Sequence, residues 1–82
     1  MGGKARLFSH CRLEKNCEVG CHTHTGDNET YYILKGEAEY NDNGVMRKLH
    51  PGDVSFTADG ESHGIKNIGD EPLEFIALIL YT

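Results

Sequence analysis

Turn-forming residues interrupt this chain roughly every 8–12 positions, and no run between them carries apolar residues at helical spacing. The strongest interruption is Asn43-Gly44, set between "EAEY" and "VMRKL", which predicts a hairpin with its turn over 41–44. Upstream, "ARLFSHCRLE" alternates: Leu7, Ser9, Cys11 and Leu13 share one side, and Arg6, Phe8, His10 and Arg12 the other. A turn at Asn16 leads into "CHTH", "TGDN" reads as a loop by composition, and "ETYYILKG" reads as a strand. Further on, "HPG", "DGES" and "IGDEPL" are turns that separate the strands "DVSFTA", "HGIKN" and "LEFIALILYT". Many short strands punctuated in this way predict an all-β sandwich or barrel.

With 82 residues, the expectation is one domain, 1–82, with little stability to spare from burial alone. A metal, a second subunit or both are expected to supplement it. The last strand is apolar on both faces, with Phe75, Ala77, Ile79 and Tyr81 on one and Ile76, Leu78 and Leu80 on the other. One face can fill a core; the other needs a neighbour, which predicts a homodimer. Three cysteines cannot all pair within one chain, and no segment resembles a signal peptide or a membrane span, so the expected location is the cytoplasm. Cys17 and Cys21, four apart on an extended strand, lie about 13 Å from one another, too far for a disulfide. The net charge of -5, with acidic residues scattered, argues against a nucleic-acid partner.

On an extended strand His22 and His24 present their rings to the same side, with Cys21 and Thr23 facing away. Glu29 follows the loop and can return beside the pair, and His63 opens a later strand. Three imidazoles and one carboxylate suit Mn, Fe, Co, Ni or Zn. Taken alone, H-x-H is common by chance and Glu29 fits an exposed carboxylate at a strand start, so these residues by themselves favour an ordinary hairpin over a metal site.

The full spacing resembles the two motifs of the cupin superfamily, in particular its small single-domain members of the cupin 2 type. The first motif runs over 16–36: Asn16 in a glycine's place, "CEVGC", His22-Thr23-His24, "TGDN", Glu29, "TYYILK", Gly36. The second runs over 52–67: Gly52, "DVSFT", Ala58-Asp59-Gly60, "ES", His63, "GIK", Asn67. Asn16 is a mild departure because asparagine also visits the left-handed region, and Ala58 replaces a proline without removing a ligand. The resemblance implies a double-stranded β-helix, or jelly-roll, barrel in which His22, His24, Glu29 and His63 bind one divalent transition metal. It also implies that one or two strands usually found ahead of "ARLFSHCRLE" are absent or supplied by a second subunit, which makes this barrel short at the N-terminus.

Tyr31 and Ile33 share the side of Glu29, and Ile65 that of His63, so all three are expected beside the metal. Tyr31 is expected to be a core aromatic and is also a candidate substrate contact. His10 is a candidate catalytic acid or base if its side of the strand faces the barrel. His50 before Pro51 is expected in solvent, and Asn67 and Asp53 are expected to close turns with their side chains. Fold and metal do not select a reaction; the expectation is a metal-dependent enzyme acting on a small organic acid, a phenolic or a sugar-derived molecule, as an oxidoreductase (dioxygenase) or as a decarboxylase or isomerase. A non-catalytic module that anchors a small oxyanion or sugar acid on the same ion is the alternative.

Overall fold

The computed structural model describes residues 5–82, with side chains from Leu7 onward. Eight strands follow in chain order: β1 (Ala5–Leu13), β2 (Glu18–Thr23), β3 (Asp27–Lys35), β4 (Ala38–Asp42), β5 (Val45–Leu49), β6 (Val54–Thr57), β7 (Ser62–Asn67) and β8 (Leu73–Tyr81). They form two four-stranded antiparallel sheets, ordered β1-β8-β3-β6 and β2-β7-β4-β5. The two sheets are the all-β architecture that the strand pattern predicts, in the jelly-roll form that the cupin resemblance implies.

Period-two alternation decides which side chains meet between the sheets. On β3, Asp27, Glu29, Tyr31 and Ile33 are buried, while Tyr32 and Leu34 face out. On β8, Leu73, Phe75, Ala77 and Ile79 are buried, and the residues between them are half-buried. Tyr40 of β4, Leu49 of β5 and Ile65 of β7 complete the core from the facing sheet. Ile33 and Ile65 lie in this core, below the cavity rather than in its wall, which corrects their expected place beside the metal.

Two turns come out tighter than composition suggests. Asn43 (φ 52°) and Gly44 (φ 91°) are both left-handed, as a two-residue type I′ turn requires, so Asn41 and Asp42 belong to β4. Asp27 and Asn28, expected in a loop, begin β3 because β8 is long enough to pair with them at Tyr81 and Leu80. Asn16 takes the left-handed conformation (φ 67°) expected of a glycine substitute. Gly36 admits no side chain: with φ at 91°, a Cβ there would sit 2.9 Å from the Pro72 carbonyl oxygen.

Asn67 closes the β7–β8 connection as expected. Its amide donates to the carbonyls of Leu13 (3.0 Å) and Glu71 (2.8 Å), and its Oδ1 accepts from the Gly69 N–H at 2.9 Å. Asp53 likewise accepts the His50 N–H at 2.7 Å. No helix among the described residues is long and apolar enough to cross a membrane.

Candidate metal centre

Antiparallel pairing of β2 with β7 sets His22 directly opposite His63. The register shifts between Val19 and His22, so that three residues of β2 span what two residues of β7 span. This bulge turns both Val19 and His22 inward although they are three apart. It also brings β2 close to Gly64, where a Cβ would lie 3.0 Å from the Cys21 nitrogen and 3.1 Å from the Val19 carbonyl oxygen. Gly64 is thus the residue that lets the bulged strand, and His22 with it, approach His63.

Four ligand atoms converge at this point, from His22, His24, Glu29 and His63, all within 4.8 Å of one another. Glu29 Oε1 is 2.8 Å from His63 Nε2, 3.0 Å from His24 Nε2 and 3.9 Å from His22 Nε2. His63 Nε2 is 3.0 Å from that of His24 and 3.2 Å from that of His22. Donors ~2.1 Å from a shared centre and at right angles to each other stand about 3.0 Å apart. Four of these five separations are close to that value, so the donor set fits one divalent transition metal. Three members are buried and His22 is 40% exposed, so the cluster opens on the His22 side.

Each ring is oriented through its other nitrogen. His24 Nδ1 lies 2.6 Å from the buried Asp27 carboxylate, His22 Nδ1 2.8 Å from the Gly20 carbonyl oxygen, and His63 Nδ1 2.8 Å and 2.9 Å from the Thr57 and Tyr40 hydroxyls. These contacts leave the three Nε2 atoms aimed at the common point. Burial pushes the Glu29 carboxyl upward, but the hydrogen bonds and charges of His63 and His24 outweigh it and hold the group below the usual carboxylate range.

Tyr31 stacks on His63, with ring centroids 4.9 Å apart and planes 19° from parallel. Burial raises its phenol well above the ordinary value, and the neighbouring Glu29 charge raises it further. The hydroxyl therefore keeps its proton. Tyr31 is both a core residue and part of the cavity wall.

A cavity of about 530 Å³ lies over the open side of the cluster, walled by β1 and β8 residues such as Cys11, Leu13, Phe75 and Ala77. His10 is not part of it. The alternation of β1 points Cys11 and Leu13 inward and sends His10 to the outer face, where its half-exposed ring meets Glu74 at 3.1 Å. The condition on which His10 is a catalytic candidate, that its side of β1 face the barrel, is therefore not met. Cys21 is exposed and faces away from the cluster, Cys17 is exposed, and no disulfide forms among the three cysteines.

The comparisons with known proteins agree with this geometry. The family model described as "Cupin domain" matches residues 9–79. The chain belongs to the cupin family. It is 49% identical over 80 residues to an oxalate-binding protein of Thermotoga maritima, an alignment that takes in 98% of this chain and 66% of that protein. A crystal structure from the same organism, described as a predicted oxalate decarboxylase, superposes with a TM-score of 0.94 at 48% identity, over 96% of this chain and 69% of that one. The cupin domain of Schizosaccharomyces pombe Cnp3 shares the fold alone, with a TM-score of 0.91 at 17% identity, over 100% of this chain and 59% of that one. The chain thus spans about two thirds of the length of its Thermotoga relatives.

Three features of this cupin site escape motif spacing. Asp27, the partner of His24, sits in a segment that composition assigns to a loop. Tyr40, a partner of His63, comes from the hairpin between the motifs. The third is at Ala58, whose N–H donates to Glu61 Oε1 at 2.8 Å, a bond that a proline at this position would forfeit. The same turn is tied to the ligand strand, since the Gly60 N–H donates to the His24 carbonyl oxygen at 2.7 Å and the His24 N–H to that of Glu61 at 2.9 Å.

Because Asp27 fixes the His24 ring, Asp27→Asn is expected to weaken metal affinity about 10- to 100-fold while the barrel stays folded. Competition against a chromophoric chelator measures this, and an unchanged affinity would show that His24 is oriented without the carboxylate.

Proposed function

We propose that this cupin is a metal-dependent protein for a small organic acid, with His22, His24, Glu29 and His63 as ligands of one divalent transition metal. The observation that carries this reading is the convergence of those four donors beneath a cavity. The ligand class is supported by the Thermotoga maritima matches at 48–49% identity, described as an oxalate-binding protein and as a predicted oxalate decarboxylase. An ion held here supplies Lewis acidity toward a carboxylate, phenolic or sugar-derived oxygen and, where it is redox-active, one-electron chemistry. The chain's own residues do the rest. Asp27, Thr57, Tyr40 and the Gly20 carbonyl hold the three rings in place, Tyr31 stacks on His63, and the apolar wall limits water around the ligand. As an enzyme, the protein would be an oxidoreductase, or a decarboxylase or isomerase.

One observation favours a second reading, that of a non-catalytic binding module. With His10 on the outer face and Tyr31 holding its proton, the cavity has few side chains free to move one. Protein purified without a metal-affinity step, assayed for metal content and then for carbon dioxide release and oxygen uptake with a panel of acids, separates the two. About one ion per chain with metal-dependent turnover is the expected result. Full loading and tight binding without turnover would establish the binding module, and failure to take up any ion would overturn both.

The unpaired cysteines fit a reducing compartment, and we infer a cytoplasmic location. We also infer a homodimer through the outer face of the β1-β8-β3-β6 sheet. Two rows cross that face in register, Phe8–Leu78–Thr30–Phe56 and His10–Ile76–Tyr32–Val54, with Phe8, Phe56 and Val54 each more than half exposed. Their one ionisable imidazole, that of His10, is already paired with Glu74, so two copies can meet through this patch without opposing like charges. Light scattering at micromolar concentration should give twice the monomer mass, and Leu78→Asp should halve it; a monodisperse wild-type monomer would overturn the dimer.

A further inference from the structure

The wall of the cavity differs in character from its floor. The floor is the ligand cluster with Asp27 beside it; the wall is mostly apolar, with Leu7, Leu13, Val19, Phe75, Ala77 and Ile79, and its polar members Cys11, Thr23, Thr25 and Tyr31 are all uncharged side chains. Among the described residues lining the cavity there is no lysine or arginine. Charge around the ion is close to balanced before any ligand enters, because the Glu29 and Asp27 carboxylates offset the two positive charges of a divalent cation. A dianion such as oxalate would leave this floor with two uncompensated negative charges and set its outer oxygens toward a mostly apolar wall, with no cationic side chain among the described lining residues to receive them. It would also occupy only a small part of about 530 Å³.

Resting on the metal reading above, we propose that the ligand of this site is a monoanionic 2-oxo or 2-hydroxy acid with a branched or aromatic apolar body. Its carboxylate and neighbouring oxygen face the ion, and its body lies on the wall formed by β1 and β8. One negative charge is the smallest addition that still allows chelation through two oxygens. The apolar body then gains what a two-carbon diacid cannot, the removal of its own surface and that of Leu13, Val19 and Phe75 from water. Each buried methylene is expected to raise affinity about three- to fourfold, and a whole isobutyl or phenyl group about 10- to 100-fold.

The test uses the metal-loaded protein, with its ion content measured on the same sample, and calorimetric titration with pyruvate, 4-methyl-2-oxopentanoate, phenylpyruvate and oxalate. The two larger oxo acids are expected to bind at least tenfold more tightly than pyruvate and more tightly than oxalate. Leu7 is 40% exposed at the cavity mouth, so Leu7→Arg places a cation in the wall at little risk to the fold. That variant is expected to narrow or reverse the preference, with oxalate gaining. Equal affinities across the oxo acids, oxalate as the tightest ligand of the wild type, or no binding by the loaded protein would each overturn the proposal while leaving the metal site intact. A protein that takes up no ion would instead bring down the metal reading on which the proposal stands.

Discussion

His63→Ala is expected to lose stoichiometric metal, with affinity falling by more than ~100-fold, while the barrel still folds. A ligand should cost more than the 10- to 100-fold typical of the groups that orient it. His63 is also the hub of the cluster, since its Nε2 lies within 3.2 Å of His22 Nε2, His24 Nε2 and Glu29 Oε1. The fold should tolerate the change because the two hydroxyls that orient the ring already bond to each other, Tyr40 to Thr57 at 2.7 Å, and neither is left unsatisfied. What remains is a small cavity beneath Tyr31, which stacks on the missing ring. His50→Ala is the control: that histidine is exposed in the turn before β6 and should have no effect. Metal analysis after gel filtration measures the loss, and full occupancy in His63→Ala would mean that the ion sits elsewhere.

The four donors are legible in the sequence for a simple reason. His22 and His24 are two apart at a strand end, Glu29 lies near the start of β3 and His63 near the start of β7 in the facing sheet, and such positions depend mainly on strand period and turn placement. The exposed place of His10 follows from the same alternation once the inward face of β1 is known, but a strand with Leu7 and Leu13 on one side and Phe8 on the other does not declare that face alone. Pairing with β8 settles it, because Cys11 lies opposite buried Phe75 and His10 opposite half-buried Ile76.

Less legible is whatever depends on register or on approach between strands. The bulge in β2 exists only relative to β7, and the requirement for Gly64 appears only when Cys21 is placed above it. Asp27 reads as loop by residue type and becomes strand because β8 extends far enough to pair with it. Tyr40 lies 23 residues from His63 in the chain, and only the β4–β7 pairing brings its hydroxyl to the imidazole. Tertiary pairing overrides local propensity at each of these positions.

Removal of the metal is expected to lower the melting temperature by about 15–30 °C. Without an ion, Asp27 at Nδ1 and Glu29 at Nε2 both draw on the His24 ring, and a neutral imidazole can donate to only one of them. Three imidazoles and a carboxylate then have only one another's hydrogen bonds and charges to offset their desolvation. Binding reverses this and stabilises only the native state, since the unfolded chain does not assemble the four donors. At a free-ion concentration about 1,000 times the dissociation constant, the linkage amounts to ~4 kcal/mol. For a domain of this size each kcal/mol corresponds to about 4–8 °C. The shift should therefore grow with the logarithm of metal concentration and vanish in His63→Ala, where no site remains to be filled. Scanning calorimetry over a series of buffered metal concentrations measures it. A melting temperature that stays constant across the series, with loading verified at each point, would show that the folded and unfolded chains hold the ion equally well and that the centre lends the barrel no support.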